Sequence, residues 1–218
     1  MTRLSPLTDD SLSRSPTLVG SGLSCYRGEI ALFEALDVRI DAGEMVRIEG
    51  ANGAGKTSLL RILAGLSRPD EGVVTWAGQD IQREGQHYRA SLGYLGHLLG
   101  LKQDLSIVEN LRMLLALRGQ VRTQDEMLEV LRQVGLSDRR DLRVRLLSQG
   151  QRQRTAFAAL MLSGALLWIL DEPFTALDRA GIALVESLLD RHLEQDGMVI
   201  LTSHQALSTR ARVRTLEL

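Results

Sequence analysis

Apolar and polar residues alternate along several short stretches of the chain, with the period of two that is typical of half-buried β-strands. The alternation predicts strands over Thr17–Tyr26, Leu32–Ile40, Met45–Glu49, Gly72–Gly78 and Ser91–Leu95. Two later stretches, Ala165–Leu170 and Met198–Ser203, are almost entirely apolar. Because such strands belong to a sheet covered on both faces, we expect them at the centre of a mostly parallel sheet. The alternating stretch Thr209–Arg214 predicts an edge strand.

A helical period replaces the alternation in the middle of the chain. Ser106–Gly119 and Thr123–Gly135 each begin with a capping box, in which glutamate follows a serine or threonine by three residues, and each ends at a glycine. A third helix is predicted from near Gly150 to about Leu162. We therefore expect a helical insert over residues 98–163, approximately, within an α/β domain. Further helices are predicted over Ser58–Leu66 and Arg179–Asp196.

Lys56 is one of only two lysines among the 26 basic residues, and it follows three glycines in the segment GANGAGKTS. The spacing G-x-x-x-x-G-K-[ST] between a predicted strand and a predicted helix is typical of a phosphate-binding loop. Glycines allow tight turns that aim backbone N–H groups inward, and lysine is a compact charge that can reach a phosphate. The Thr57 hydroxyl is placed to hold Mg²⁺. We predict that a nucleotide's phosphates are bound by Gly50, Ala51, Asn52, Gly53, Ala54, Gly55, Lys56, Thr57 and Ser58.

Two carboxylates directly follow the apolar strand Ala165–Leu170, in the sequence WILDEP. Asp171 is placed to hold the shell of Mg²⁺ through water. Glu172 can orient and deprotonate a water molecule beside the terminal phosphate. Taken alone, the stretch could equally be a polar strand end that enters a proline turn. Together with the phosphate-binding loop, it predicts a catalytic site.

The stretch LLSQGQRQR, Leu146–Arg154, places Ser148 and Gly150 just before a predicted helix, where backbone N–H groups can bind a second anion. One chain does not need two such sites for one phosphate tail. Two chains arranged head to tail do, because the loop of one copy and the Ser148 turn of the other can enclose the same nucleotide. We therefore predict an isologous dimer of two copies with two sites.

These motifs, together with TALD and the dipeptide Ser203–His204, resemble the ATP-binding subunit of ABC transporters in order and spacing. The resemblance covers nearly all of the chain after about Thr17. It implies an ABC ATPase domain over 17–218: an α/β fold with a P-loop NTPase core, an N-terminal antiparallel β layer and the inserted helical subdomain. It also implies that the chain hydrolyses ATP with Mg²⁺, and that Lys56, Glu172 and His204 are catalytic.

The resemblance implies further roles outside the phosphate-binding loop. His204 looks like the switch histidine that contacts the γ-phosphate and holds Glu172 in place. Asp178 looks like the D-loop aspartate. The signature residues, which contact the γ-phosphate bound by the partner copy, look like Ser148, Gln149, Gly150 and Gln151.

A narrower resemblance is to the haem-exporter ATPase subunit of the bacterial cytochrome c maturation system. It is carried by Leu66–Ile81, Tyr94–Leu111, Ala165–Asp178 and Ile200–Gln205. It implies a peripheral subunit at the cytoplasmic face of the inner membrane, bound to the integral membrane transporter subunits of that system. Haem would then be the cargo of those partners and would not be bound directly by this chain.

Composition and charge bear on the alternatives. A net charge of −1 gives no basic field for nucleic acid, so we expect no nucleic-acid partner. The single cysteine, Cys25, fits a reducing compartment. The longest apolar run, Ala156–Leu170, is shorter than the ~20 residues of a membrane span. A serine-rich stretch over 1–16, without the apolar core of a signal peptide, predicts a disordered lead. Another ABC exporter or importer, or a soluble ABC ATPase outside transport, stays open as an alternative.

Three positions depart from the usual ABC pattern or leave it undecided. The glutamine that usually follows the strand Ser91–Leu95 is replaced by His97, and because imidazole is a poor ligand for Mg²⁺ we expect it to act through water or on the nucleotide-bound loop. Gln149 replaces the first signature glycine, and we expect function to survive because the turn needs only Gly150. Tyr26 is the candidate for stacking on adenine, with Phe33 as its rival, and both could equally be core residues.

Overall fold

The structure, a computed structural model, describes residues 16–83 and 85–218. All but the last residue of the predicted disordered lead lies outside the described residues. The described strands are β1 (Leu18–Arg27), β2 (Ile30–Ile40), β3 (Met45–Glu49), β4 (Glu71–Trp76), β5 (Gln79–Asp80), β6 (Leu92–Leu95), β7 (Leu167–Asp171), β8 (Met198–Thr202) and β9 (Val213–Glu217). The described α-helices are α1 (Lys56–Leu63), α2 (Gly85–Ser91), α3 (Ile107–Leu117), α4 (Gln124–Gln133), α5 (Gln149–Leu162) and α6 (Arg179–Glu194).

The strands form two sheets of different kinds. An antiparallel sheet has the order β2-β1-β4-β5, and a five-stranded sheet has the order β6-β7-β8-β3-β9 with every neighbouring pair parallel. Strands β7 and β8, predicted to lie at the centre, do lie there and are almost fully buried. The predicted fold class, an α/β core with a mostly parallel sheet and an N-terminal antiparallel β layer, is confirmed.

Successive residues of the central strands point into two separate hydrophobic cores. On β8, Val199 and Leu201 pack with helices α5 and α6, whereas Met198 and Ile200 pack with α1 and the antiparallel sheet. A parallel sheet buried on both faces requires this apolar content on both sides of each strand. Arg47 is a charged residue on the inner strand β3. It is accommodated there because it forms an ion pair with Glu49 on the same side of the strand.

The predicted helical insert contains α3, α4 and α5. Both predicted capping boxes are present: Ser106 caps α3 with Glu109, and Thr123 caps α4 with Glu126. Each box satisfies two backbone N–H groups that a helix start otherwise leaves unpaired. The bounds of the insert, 98–163, stay a prediction.

Three elements differ from their predictions. Helix α1 begins at Lys56, because Gly55 is its N-terminal cap and the loop runs directly into it. Helix α2 was not predicted and includes Ser91, the first residue of the predicted strand. The edge strand is Val213–Glu217, because Thr209 at the start of the predicted segment instead donates a hydrogen bond to Asp190 on α6.

His192 of α6 stacks on Trp168 of β7, with ring centroids 3.9 Å apart and planes at 10°. Its Nε2 lies 3.0 Å from the carbonyl oxygen of Leu166, to which the neutral ring donates. Burial lowers the pKa of His192 to about 4, although the backbone hydrogen bonds to Leu166 and Met198 favour the charged form. The folded chain therefore takes up this proton at a lower pH than the unfolded chain does.

Acidification should destabilise the fold through His192. The unfolded imidazole binds a proton below about pH 6.5 and the folded one only near pH 4, so the free energy of unfolding should fall across that window by up to about 3 kcal/mol, at ~1.4 kcal/mol per pH unit. Urea denaturation at several pH values measures this slope. The slope should flatten in H192Q and stay unchanged in the control H87Q, whose side chain is exposed. An H192Q slope equal to that of the wild type would contradict the assignment.

Candidate functional site

The glycine-rich loop connects β3 to α1 at the carboxyl edge of the parallel sheet. Gly50, Gly53 and Gly55 have φ angles of 147°, 88° and 100°, which lie in a region that residues other than glycine rarely adopt. A Cβ atom at Gly50 would also lie 2.8 Å from the carbonyl oxygen of Leu218. The loop conformation therefore depends on these glycines, as predicted.

Lys56 reaches back across the loop that precedes it. Its Nζ donates to the carbonyl oxygen of Gly50 at 2.7 Å and to that of Ala51 at 3.0 Å. The ammonium group is thus held at the mouth of the loop, at the N-terminal end of α1, where the helix dipole adds positive potential.

The loop opens into a cleft of about 700 Å³. Asp171 and Glu172, at the end of β7, and His204, after β8, lie on its other wall. Residues of β1 and β2 close one end. The loop residues that line the cleft are Asn52, Gly53, Gly55, Lys56, Thr57 and Ser58.

Asp171 is held from two directions. The hydroxyl of Thr57 donates to Oδ2 at 2.9 Å, and the hydroxyl of Thr202 donates to Oδ1 at 2.8 Å. Thr202 stands opposite Asp171 in the parallel pairing of β7 with β8. The structure therefore brings together the two residues predicted to hold Mg²⁺.

Glu172 has a φ angle of 51°, which is unusual for a residue other than glycine. Its backbone N–H donates to the Thr202 hydroxyl at 2.9 Å, and its Oε1 lies 3.5 Å from Nε2 of His204. The residue after Glu172 is also held, because the side-chain amide of Gln153 donates to the carbonyl oxygen of Pro173 at 3.0 Å. The contact between Glu172 and His204 is the one that the family resemblance implied.

Two side chains compete for the role of adenine partner. Tyr26 lines the cleft and is partly exposed, and its phenol donates to Glu34 at 2.8 Å, a bond that raises the pKa of Tyr26. Phe33 is buried against the loop, 3.2 Å from where a Cβ of Gly55 would lie. The positions favour Tyr26 and explain Phe33 as a core residue.

The signature residues lie apart from the cleft of their own chain. Ser148 caps α5 in a reciprocal pair with Gln151, at 3.2 and 2.9 Å, and both Ser148 and Gln149 are exposed. Within the described residues the lining of the cleft includes none of Ser148, Gln149, Gly150 and Gln151.

The physical reason given for Gly150 was wrong. Its φ is not positive, so the turn itself does not require glycine. A Cβ atom there would lie 3.0 Å from the carbonyl oxygen of Ala176. A side chain at position 150 would therefore be tightly packed against the segment Thr175–Asp178, which passes close to the start of α5.

Asp178 and His97 were the two other predicted site residues outside the cleft motifs. Asp178 lies at the start of a helix and His97 lies in the loop after β6. Asp178 caps α6, its Oδ1 accepting from the N–H of Gly181 at 2.7 Å. His97 is exposed and lines a second cavity, of about 440 Å³, with Gln149 and Arg152. Neither residue lines the cleft that holds Glu172, as far as the described residues extend.

The donor set at the cleft suits a hard cation. Over 16–83 and 85–218, no group of three or more histidine, cysteine, aspartate or glutamate side chains could hold a metal ion by itself. Thr57 and Asp171 offer two oxygens 2.9 Å apart. Mg²⁺ commonly uses one or two such protein ligands and completes its shell with phosphate oxygens and water, so the residues fit it.

A glycine loop that caps a helix, facing a hydroxyl and two carboxylates at the carboxyl edge of a parallel sheet, defines a nucleoside-triphosphate site of the P-loop class. The sequence model of the ABC transporter family matches residues 33–175, and the chain belongs to this family. Membership confirms the resemblance, and with it the prediction of an ATP-hydrolysing subunit that binds ATP. Among the described helices, none combines the length and the hydrophobicity that a membrane-spanning segment requires.

Relatives cover almost the whole chain. It is 51% identical over 201 residues to the cytochrome c biogenesis ATP-binding export protein CcmA of Methylococcus capsulatus, which is 92% of this chain and 97% of that protein. The protein of the same name from Nitrosomonas europaea is 48% identical over 190 residues, 87% and 89% of the two chains. Among solved structures, a putative ABC transporter ATP-binding protein from Pyrococcus furiosus has a TM-score of 0.81 at 26% identity, covering 93% of this chain and 97% of that one.

Proposed function

We propose that the chain hydrolyses ATP to drive an ABC system of cytochrome c biogenesis, in which membrane partners export haem or release a haem-loaded chaperone. One observation carries the hydrolytic part: Asp171, bonded to Thr57 of the phosphate-binding loop, and the pair Glu172 and His204 line the same cleft as that loop. The relatives named as cytochrome c biogenesis export proteins support the pathway.

The loop residues Gly50–Ser58 bind the triphosphate through backbone N–H groups and the N-terminal end of α1. Lys56 exchanges its two carbonyl partners for the β- and γ-phosphates. Thr57 and Asp171 would hold Mg²⁺, which supplies charge neutralisation on the phosphate oxygens when it is bound. The aromatic ring of Tyr26 stacks on adenine at the end of the cleft that β1 and β2 form.

Glu172 is the general base. It orients a water molecule against the γ-phosphate and accepts its proton, while His204 holds the carboxylate and contacts the same phosphate. Catalysis of phosphoryl transfer depends mainly on such positioning and on charge stabilisation. The exposed position of His204 leaves its imidazole free to follow the substrate.

Two copies complete each other's site. Ser148 and Gly150 lie at the N-terminal end of a 14-residue helix, where backbone N–H groups favour an anion. Among the described residues, however, the lining of the cleft that contains the phosphate-binding loop includes neither of them. A second copy facing the first brings its signature, Ser148–Gln151, to the γ-phosphate, and Asp178 lies beside that contact. The assembly therefore has two nucleotide sites.

The membrane partners would dock beside His97 and the helical insert, at the cytoplasmic face of the inner membrane. A groove of about 250 Å³ between β6, α3 and α5 is lined by apolar side chains including Leu99, Leu114 and Leu160. Leu117, which also lines the groove, is exposed, and so is Leu98, which precedes the lining residue Leu99. Burial of such side chains against a partner is favourable, which supports a docking surface there. Haem would stay with those partners.

Replacing Lys56 tests both halves of the proposal. K56A should weaken binding of a fluorescent ATP analogue at least about tenfold, because a charge-assisted contact to phosphate is lost. The control K102A, which removes the only other lysine, should bind normally. A strain carrying K56A should lose covalently attached haem from its c-type cytochromes in a haem-stained gel. Normal haem attachment despite lost ATP binding would refute the pathway, and normal ATP binding would refute the site.

A further inference from the structure

Thr202 is a hydroxyl residue at the end of an otherwise apolar strand. It follows Met198–Leu201 on β8, and the whole strand is buried, with Thr202 itself 0% exposed. A hydroxyl buried to this degree needs hydrogen-bond partners within the protein. Thr202 has two, since it donates to Oδ1 of Asp171 at 2.8 Å and accepts from the N–H of Glu172 at 2.9 Å.

The bond to Asp171 determines which carboxylate oxygen is available. Oδ1 is occupied by the Thr202 hydroxyl, so Oδ2 is the oxygen that faces Thr57, at 2.9 Å. Because each oxygen accepts from a different hydroxyl, the carboxylate is held in one orientation toward the loop. The hydroxyl therefore orients the pair of oxygens that suits a cation.

The bond to Glu172 supports an unfavourable backbone conformation. A φ of 51° places this residue in the left-handed region. Residues other than glycine adopt it only when surrounding contacts compensate for the backbone strain. The Thr202 hydroxyl accepts the N–H that this conformation turns toward β8. The side chain then leaves the backbone in the direction that brings Oε1 within 3.5 Å of His204.

We propose that Thr202 is a positioning residue for hydrolysis, whose one hydroxyl holds both Asp171 and Glu172 in the geometry that hydrolysis requires. This inference rests on the proposed roles of those two carboxylates. Thr202 touches neither the substrate nor the water molecule and acts only through the two residues.

The test compares variants of the full chain, purified together with its membrane partners, by ATP turnover and by melting temperature. T202V keeps the volume of the side chain and removes the hydroxyl, and T202C puts a weak donor and acceptor in its place. Both should lower kcat at least about tenfold and change the KM for ATP less than about twofold, because the phosphate-binding loop is untouched. T202S keeps the hydroxyl and should stay within about twofold of wild-type kcat.

Melting temperature separates positioning from a merely structural role. T202S loses a buried methyl group, so it should melt at a lower temperature than the wild type while keeping its activity. The matched control T75V, on β4 of the other sheet, should keep wild-type kcat. Wild-type kcat in T202V, or a T202S variant as slow as T202V, would overturn the proposal. A wild-type complex without ATPase activity would instead refute the proposed function.

Discussion

Replacing Glu172 with glutamine should slow ATP turnover at least about 100-fold while ATP binding stays close to that of the wild type. Glutamine has nearly the same shape as glutamate but its amide cannot accept a proton from water. The hydrogen bond from the backbone N–H of Glu172 to Thr202 does not involve the side chain of Glu172, so the strand end should keep its conformation. Binding should persist because the loop and Lys56 are unchanged.

Single-turnover hydrolysis and equilibrium binding of ATP measure the two quantities separately. E194Q is the matched control, because Glu194 is exposed at the end of α6 and away from the cleft. It should turn over ATP at the wild-type rate. Turnover of E172Q near the wild-type rate would mean that another group removes the proton, and the assignment of the base would be wrong.

Replacing Ser148 with arginine should abolish turnover in the assembled complex, to less than about one hundredth of the wild-type rate, while each chain still binds ATP. Ser148 caps α5 with Gln151, and an arginine at the cap loses that bond and fills the space where the partner's phosphate would lie. Because the cleft of the same chain does not include Ser148, ATP binding to a single chain should not change.

The matched control is S187R, a change of the same residue type at an exposed position on α6. It should leave turnover and binding at their wild-type values. Full turnover in S148R would contradict the shared site, and loss of ATP binding by the isolated S148R chain would place the residue in the site of its own chain.

Elements with a strong local signal could be predicted from the sequence. The boxes at Ser106 and Thr123 mark helix starts by themselves, and the apolar strands β7 and β8 predict a sheet that is covered on both faces. Helix α2 has no such signal. It is seven residues long and is held by contacts with residues distant in sequence. The hydroxyl of Tyr88 donates to the Leu63 carbonyl, and the ring centroids of Tyr88 and Trp76 lie 5.5 Å apart.

The same distinction applies to the site. The loop Gly50–Ser58 and the pair Asp171–Glu172 are contiguous motifs, and the structure brings them into one cleft as predicted. The sequence does not reveal the role of Thr202, because that role depends on the register of β8 with β7, which pairs Thr202 with Asp171. The need for Gly150 was misjudged for a similar reason, since the close carbonyl belongs to Ala176, 26 positions away by sequence number.

The central claim, that each site is made from the loop of one chain and the signature of the other, is tested most directly by distributing two changes between two tagged chains. With K56A in one chain and S148R in the other, one of the two sites keeps an intact loop and an intact signature. With both changes in one chain, neither site does. We expect the separate-chain pair to hydrolyse ATP, and the same-chain pair to bind ATP at its one intact loop without hydrolysing it. Greater activity in the same-chain pair would contradict the shared site.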